Sequence, residues 1–116
     1  MQEQCIFCAI ANKKAPAEII FENENFLAFK DIHPMAPIHM LVVPKKHYDS
    51  LNEVKDAEAQ MLGELLINAK QVAKQLGLAE KGFRLMINTG KDGGQTVPHL
   101  HVHILGGKPH LPVQVG

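Results

Sequence analysis

The pattern of hydrophobic and polar positions along the chain predicts five short strands. Apolar runs bounded by turn-forming residues indicate strands at 19–22, 26–30, 39–43, 83–88 and 99–105. Asn23-Glu24-Asn25 separates the first two runs and predicts a hairpin. The prolines of segment 31–37 predict a loop, and Pro44 ends the third strand because proline cannot donate to a sheet ladder.

Helical periodicity appears in two places. A long helix is predicted from near Asp56 to Leu76, with Gly77 as its stop and Ser50-Leu51-Asn52-Glu53 as a capping box opening a helix or short turn before it. A shorter helix is predicted over 8–11, ending before Ala15-Pro16. Apolar side chains at spacings of three and four give the long helix one stripe, interpreted as core: Met61, Leu62, Leu65, Leu66, Ala69, Val72, Ala73 and Leu76.

This order of elements predicts an α+β fold. Hairpin-linked strands with one long helix favour an antiparallel sheet, and 116 residues form a single domain spanning 1–116 with enough chain for an ordinary core. Hydrophobic residues make up 46% of the chain and charged residues 21%, which is typical of globular proteins.

Charge and targeting patterns argue against several functional classes of protein. Lys and Arg balance Asp and Glu at 12 each, and Arg84 is the single arginine, which argues against nucleic-acid binding through a broad basic surface. Residues 1–4 carry no basic segment followed by an apolar stretch, and no apolar run is long enough to span a bilayer. We therefore expect a cytoplasmic protein without a membrane partner.

Three histidines alternate with apolar residues in His99-Leu100-His101-Val102-His103. In a strand, all three imidazoles project from one face, with roughly 6.6 Å between successive ones. Near neutral pH, imidazole serves as nucleophile, general acid or base, phosphate ligand or metal ligand. Strand propensity does not favour such a row, so the run indicates a reaction centre, a metal site or both.

One metal ion cannot bind all three histidines of a flat strand. The outer two would lie on the order of 13 Å apart, whereas each zinc ligand lies about 2 Å from the ion. The histidines are therefore expected to have divided roles. Cys5 and Cys8 form a Cys-x2-Cys pair, which in a cytoplasmic chain indicates reduced, metal-binding or redox-active cysteines rather than a structural disulfide.

Motifs around the histidine run carry a family resemblance. His-φ-His-φ-His-φ-φ, where φ is apolar, spans 99–105 and resembles the signature of the histidine triad superfamily. Segments 31–34 and 36–47 resemble the first half of its Hint branch, and 88–90, 92–96 and 105–107 continue the match. The resemblance covers nearly the whole chain. It implies a homodimer whose two sheets join, a purine nucleoside monophosphate bound at the triad, and hydrolysis of the phosphorus–nitrogen bond in nucleoside phosphoramidates.

The resemblance also implies a covalent mechanism. His101 matches the family nucleophile, a neutral imidazole that attacks the α-phosphorus, expels the amine and leaves a nucleotidyl-histidine for water to hydrolyse. Its other nitrogen is expected to donate to a backbone carbonyl or another acceptor, which fixes the tautomer. His103 matches the residue that contacts phosphate and the departing group. His39 matches a fourth active-site histidine, although a solvent-facing histidine at a strand end fits the pattern too.

Nucleotide contacts are implied in several segments. Asp31 matches a carboxylate that binds the ribose hydroxyls, with Ile32 beside it against the base; a turn-capping aspartate is the structural alternative. Asn88 matches a polar ligand of ribose or phosphate. Three apolar side chains are predicted to wall the base pocket and would equally suit a core: Phe7, Ile10 and Phe29.

A glycine-rich segment before the triad is expected to bind the phosphate. Gly93-Gly94 allows close backbone approach, and Gln95 and Thr96 offer amide, hydroxyl and main-chain donors where charge grows during displacement. A generic glycine turn is the alternative. Two departures from the family are Thr96, where relatives often carry serine, and Pro98, where the Hint branch commonly carries an aromatic residue. The added methyl of Thr96 stiffens its side chain while keeping the hydroxyl.

The cysteine pair supplies half of a tetrahedral zinc site. Histidine-triad relatives with this pair complete the site with two histidines, and His47 and His99 match those positions. The resemblance thus implies a closed, structural zinc on Cys5, Cys8, His47 and His99, whereas two buried free thiols are the alternative. No organic cofactor is expected.

Two other functions use the same framework. A dinucleoside polyphosphate hydrolase of the Fhit type would share the nucleophile, but the segment 93–96 and the Gly106-Gly107 ending resemble Hint. A nucleotide-binding or zinc-binding regulatory module would keep the fold without turnover. An aprataxin-like role on nucleic acid lacks support from flanking domains or basic excess.

Overall fold

The structure, a computed structural model, describes residues 5–109; residues 1–4, on which the expected lack of a secretory signal rests, and 110–116 lie outside the described part. Its elements in chain order are α1 (Ile6–Ala11), β1 (Ile19–Glu22), β2 (Phe26–Lys30), β3 (Ile38–Pro44), α2 (Ala59–Gln75), β4 (Arg84–Met86) and β5 (Val102–Gly106). Two 3-10 turns, Leu51–Glu53 and Asp56–Glu58, precede α2. The strands form one antiparallel sheet in the order β1-β2-β3-β5-β4. The predicted α+β architecture is confirmed.

The sheet separates two hydrophobic layers, because successive strand side chains point to opposite faces. On one face, α2 packs through Leu65, Ala69, Val72 and Ala73 onto alternate residues of β2, β3 and β5. On the other face, α1 packs onto the strand residues that point the opposite way, which are Leu27 and Phe29 of β2 and Leu41 and Val43 of β3. His39 has the parity of Leu41, so the sequence places it on the α1 face.

The long helix differs from its prediction at its start and along its apolar stripe. Its first turn is the 3-10 turn Asp56–Glu58, and regular α-helix begins only at Ala59. Leu66, predicted as core, is 45% exposed, so that assignment is wrong. Asn68 is buried instead, where its amide donates to the carbonyl of Glu64 and its Oδ1 accepts from Asn23 of the hairpin. None of the described helices meets the length and apolarity needed to cross a bilayer.

The histidine strand is shorter than predicted. β5 begins at Val102, whose partner Val42 is the last of β3 to pair with it. Before that point the chain bonds elsewhere: the N–H of Leu100 donates to the carbonyl of Tyr48, and that of His99 donates to Val97. Likewise β4 spans only Arg84–Met86 of the predicted 83–88. The histidine row therefore bends where the sheet ends, rather than running flat.

Candidate active site and metal centre

A cavity of about 370 Å³ opens on the α1 face of the sheet. Its floor comes from β2 and β3, one wall from α1, and its rim from the segments 30–33 and 96–97. Eight of the residues predicted for the nucleotide site line it: Phe7, Ile10, Phe29, Asp31, Ile32, Thr96, His101 and His103. Apolar walls with a few converging polar groups are the usual form of a small-molecule site.

Sequence reasoning missed several lining residues: Ile6, Pro16, Ala17, Lys30, His33, Leu41 and Val97. Strand parity would have identified Leu41, which lies on the same face as His39. Lys30 is the last residue of β2, and the others lie in loops or at the start of α1, where no periodicity marks the direction of a side chain.

His101 is held by a carbonyl two residues away. Its Nδ1 lies 2.6 Å from the backbone oxygen of His99, which can only accept, so Nδ1 carries the proton. Nε2 of the neutral ring therefore keeps its lone pair. The ring is buried at the cavity wall and packs edge-on against Phe7. This is the arrangement that a nitrogen nucleophile requires.

A second chain of hydrogen bonds sets the tautomer of His103. The N–H of Met35 donates to Nδ1 of His39 over 3.0 Å, so the proton of a neutral His39 lies on Nε2. That nitrogen is 2.9 Å from Nδ1 of His103 and 3.3 Å from Oδ2 of Asp31. Nδ1 of His103 accepts, which leaves its Nε2–H as a donor. His39 itself is buried and does not line the cavity, so it acts on the site through His103.

Burial keeps these imidazoles neutral. Burial, followed by the nearby rings of His101 and His39, lowers the pKa of His103 to about 4. Burial likewise lowers the pKa of His101, against the opposing effect of its bond to His99. The pKa of His39 is also lowered by burial, although Asp31 acts in the other direction. At neutral pH the rings offer lone pairs and N–H donors rather than positive charge.

Three residues predicted to bind nucleotide do not line the cavity: Asn88, Gly94 and Gln95. Asn88 follows β4. Gly94, at φ +81°, belongs to a turn in which the N–H of Gln95 donates to the carbonyl of Gly90. The side chain of Gln95 is occupied within the protein, so the turn reaches the cavity at Thr96 and Val97.

The four predicted metal ligands form a second site. One ligand atom from each of Cys5, Cys8, His47 and His99 lies within 4.8 Å of the others, an arrangement that could hold a metal ion. Nδ1 of His99 is 3.3 Å from Sγ of Cys5 and 3.6 Å from Sγ of Cys8, and Nδ1 of His47 is 3.3 Å from Sγ of Cys8. A tetrahedral zinc gives sulfur–nitrogen separations of about 3.6 Å, so these residues fit that ion.

The outer hydrogen bonds orient both histidines of this centre. Nε2 of His99 donates to the carbonyl of Pro44 over 2.8 Å, and Nε2 of His47 donates to the carboxylate of Asp49 over 2.6 Å. Each Nδ1 lone pair therefore faces the thiols. A carboxylate or carbonyl behind a ligating histidine is the common second shell of metal sites. Sequence reasoning missed Asp49, although its place two residues after His47 was a usable signal.

The thiols complete the argument for a cation. Cys5 and Cys8 are free and buried, and burial raises the pKa of the Cys5 thiol. A divalent cation would offset that cost and hold the sulfur as thiolate. The bend before β5 turns the His99 ring toward His47, with 4.8 Å between centroids, while the rings of His101 and His103 lie 4.9 Å apart at the cavity.

Fold and site together define a small α+β protein with a neutral histidine pair in a cavity of about 370 Å³ and an adjoining Cys2His2 cluster. The pattern that defines the HIT domain matches residues 12–110, and the chain belongs to the HIT family.

Individual relatives agree with this assignment. Protein HitA of Neisseria gonorrhoeae is 46% identical over 104 residues, which cover 90% of this chain and 96% of that protein. A histidine triad protein from Clostridium difficile superimposes with a TM-score of 0.94 at 45% identity, covering 98% and 99% of the two chains. A HIT family hydrolase from Legionella pneumophila Philadelphia 1 gives 0.88 at 48% identity, covering 90% and 94%.

Proposed function

We propose that this HIT-family protein is a nucleotide hydrolase that cleaves the phosphorus–nitrogen bond of purine nucleoside 5′-phosphoramidates. The observation that carries the proposal is the 2.6 Å contact between Nδ1 of His101 and the carbonyl of His99, which leaves an unprotonated Nε2 at the wall of the cavity. The hydrolase named from Legionella pneumophila supports the reaction class.

The reaction runs in two displacements. Nε2 of His101 bonds to the α-phosphorus as the phosphorus–nitrogen bond of the substrate breaks, and the amine leaves with a proton. His103 is the donor in place, because its Nε2–H remains free. Water then attacks the phosphorus and gives a proton to Nε2 of His103, which lost its own in the first step. The bond to His101 breaks, and a nucleoside monophosphate is released. Two easier steps thus replace one difficult displacement.

The rest of the cavity suits a nucleotide. Phe7, Ile10 and Phe29 give it apolar walls for a purine, with Ile32 at the rim. The carboxylate of Asp31 accepts from the N–H of His33 through Oδ1, which fixes its direction and leaves lone pairs for the ribose hydroxyls. The hydroxyl of Thr96, a residue that lines the cavity, would donate to phosphate.

The test is a mass measurement after rapid mixing with adenosine phosphoramidate. We expect an adenylyl adduct on His101 and none on His101→Gly. Added imidazole should restore turnover in His101→Gly by supplying the missing nucleophile. An adduct elsewhere, or equal turnover by the variant without imidazole, would contradict the role of His101. Faster cleavage of diadenosine polyphosphate than of the phosphoramidate would move the substrate class to the Fhit type.

We propose in addition that the Cys5/Cys8/His47/His99 centre binds zinc in a structural role. Four protein ligands leave no open position for substrate, and the closed set supports structure rather than Lewis-acid chemistry. Metal analysis of protein purified without added zinc should give one zinc per chain in the wild type and none in Cys5→Ser/Cys8→Ser. Undiminished zinc in the double variant would refute this site.

A homodimer is the third part of the proposal. β4 lies at one edge of the sheet, and in the part of the chain that the structure describes it pairs on one side only, with β5. Its three residues are half-buried rather than exposed. Such an edge supports continuation of the sheet into a second copy.

A further inference from the structure

The side chain of Gln95 is fully used inside the protein. Its Oε1 accepts from the N–H of Gly90 over 2.9 Å, and its Nε2 donates to the carbonyls of Asp49 at 2.7 Å and Val97 at 2.9 Å. An amide nitrogen has two hydrogens, and both are assigned. No side-chain donor of Gln95 is left for a phosphate, and Gln95 does not line the cavity.

Both acceptors of Gln95 belong to the surroundings of the metal centre. Asp49 accepts from Nε2 of His47 through its carboxylate, while its backbone carbonyl accepts from Gln95. The carbonyl of Val97 accepts from Gln95 and also from the N–H of His99. One side chain therefore contacts the chain next to both histidines of the centre.

Gln95 is also joined to the cavity through the next residue of the chain. Thr96, the next residue, lines it, and the N–H of Gln95 closes the turn onto Gly90. A shift of Gln95 relative to Asp49 would move Thr96 relative to His101. Two hydrogen bonds of the Gln95 amide therefore connect the segment that carries Thr96, at the cavity, to the chain beside His47 and His99.

We propose that Gln95 is a positioning residue that couples metal binding to nucleotide binding, acting through the carbonyls of Asp49 and Val97. The inference rests on the proposed nucleotide function of the cavity. Coupling between two sites is reciprocal: a bound nucleoside monophosphate that fixes Thr96 should slow metal release, and loss of the two donor bonds should remove that effect.

The experiment measures zinc release to a chelator from the zinc-loaded protein, with and without AMP. Gln95→Glu keeps the acceptor for Gly90 but faces two carbonyls with a carboxylate, and Gln95→Met removes all three bonds without adding charge. Gln75→Glu is the matched control, because Gln75 also donates to a carbonyl, that of Ile20, far from the site.

We expect both Gln95 variants to release zinc faster, by roughly 10-fold as for other outer-shell changes. AMP should slow release in the wild type and in Gln75→Glu by roughly 5-fold or more, and should have no effect in the Gln95 variants. KM should rise more than kcat falls, because His101 keeps its own bond to His99.

Unchanged zinc release in both Gln95 variants would overturn the proposal, even if AMP affinity falls, because a direct phosphate ligand would give that result. Equal slowing by AMP in the wild type and the Gln95 variants would also overturn it. A wild-type protein that binds no AMP refutes the proposed function and the nucleotide half of the coupling. Zinc release then still decides whether Gln95 fastens the turn to the metal centre.

Discussion

At the scale of single residues, proton positions in the site are set by backbone groups. The carbonyl of His99 holds the proton of His101 on Nδ1, and the N–H of Met35 holds that of His39 on Nε2. His39 passes this constraint to His103. Because backbone groups cannot change tautomer, the Nε2 lone pair of His101 and the Nε2–H of His103 are both fixed.

The lowered pKa of His103 gives a pH prediction. With a folded pKa of about 4, His103 stays neutral while the unfolded chain takes up a proton near its ordinary pKa of about 6.5. The unfolded state then binds more protons, so stability falls as the pH drops from 6.5 toward 4. We expect the His103 ring resonance to titrate near pH 4 by NMR, and His103→Gln to show a shallower loss of thermal stability. A midpoint near 6.5 would contradict the burial argument.

Ile32 allows nucleotide contact to be separated from stability. The side chain lines the cavity but is 84% exposed, so it adds little to the free energy of unfolding. A purine that covers it would bury apolar surface, and Ile32→Ser should weaken AMP binding by about 1–2 kcal/mol, roughly 5- to 30-fold in Kd. Calorimetric titration measures the loss, and the melting temperature should not change. Unaltered affinity would place the base elsewhere.

The residues that form the site are easier to predict from the sequence than the hydrogen bonds that they make. The histidines, Asp31 and the cysteine pair carry their chemistry in the side chain, and the structure brings them to one cavity and one centre, with His39 behind the cavity against His103. The sequence predicts that Gln95 binds phosphate because its amide can donate. In the structure both amide hydrogens are directed at backbone carbonyls, whose positions the sequence does not give.

At the scale of elements, the turn before the histidines requires glycine at position 93, where a side chain would clash with the backbone. A Cβ at Gly93 would lie 2.4 Å from the carbonyl oxygen of Thr89, whereas one at Gly63 in α2 would meet no atom within 4 Å. We expect Gly93→Ala to lower the melting temperature and weaken AMP binding as the turn shifts.

Gly63→Ala is its control and should raise stability by roughly 1 kcal/mol, because alanine is the better helix former. Thermal unfolding and AMP titration of the two variants provide the comparison. Equal melting temperatures and equal AMP affinities of the two variants would show that the turn accommodates the added methyl group.

Element type was predictable from periodicity, while element ends were not. The apolar runs 26–30 and 39–43 are visible in the sequence, and both form strands of the sheet. The start of β5 depends on where β3 stops pairing with it, and Leu66 is exposed because the core ends there. Both are decided by contacts between segments distant in sequence, which no local pattern reports.

At the scale of the whole molecule, the edge strand β4 gives a prediction about assembly. If the sheet continues into a second copy, analytical ultracentrifugation should show a species of twice 12.8 kDa that persists on dilution. The physical reason is the half-buried edge, which gains backbone hydrogen bonds on pairing. Sedimentation at the mass of one chain at all concentrations would contradict the homodimer.

The metal centre also has a consequence for biosynthesis. Cys5 and His99 are 94 positions apart, so its ligand set is incomplete until nearly all of the described chain has left the ribosome. During synthesis the two cysteines emerge first, before the two histidines that would complete the ligand set. If the centre holds zinc as proposed, all four ligands can bind it only after His99 has been synthesised, and a shortage of zinc in a growing cell should affect newly made chains before those already folded.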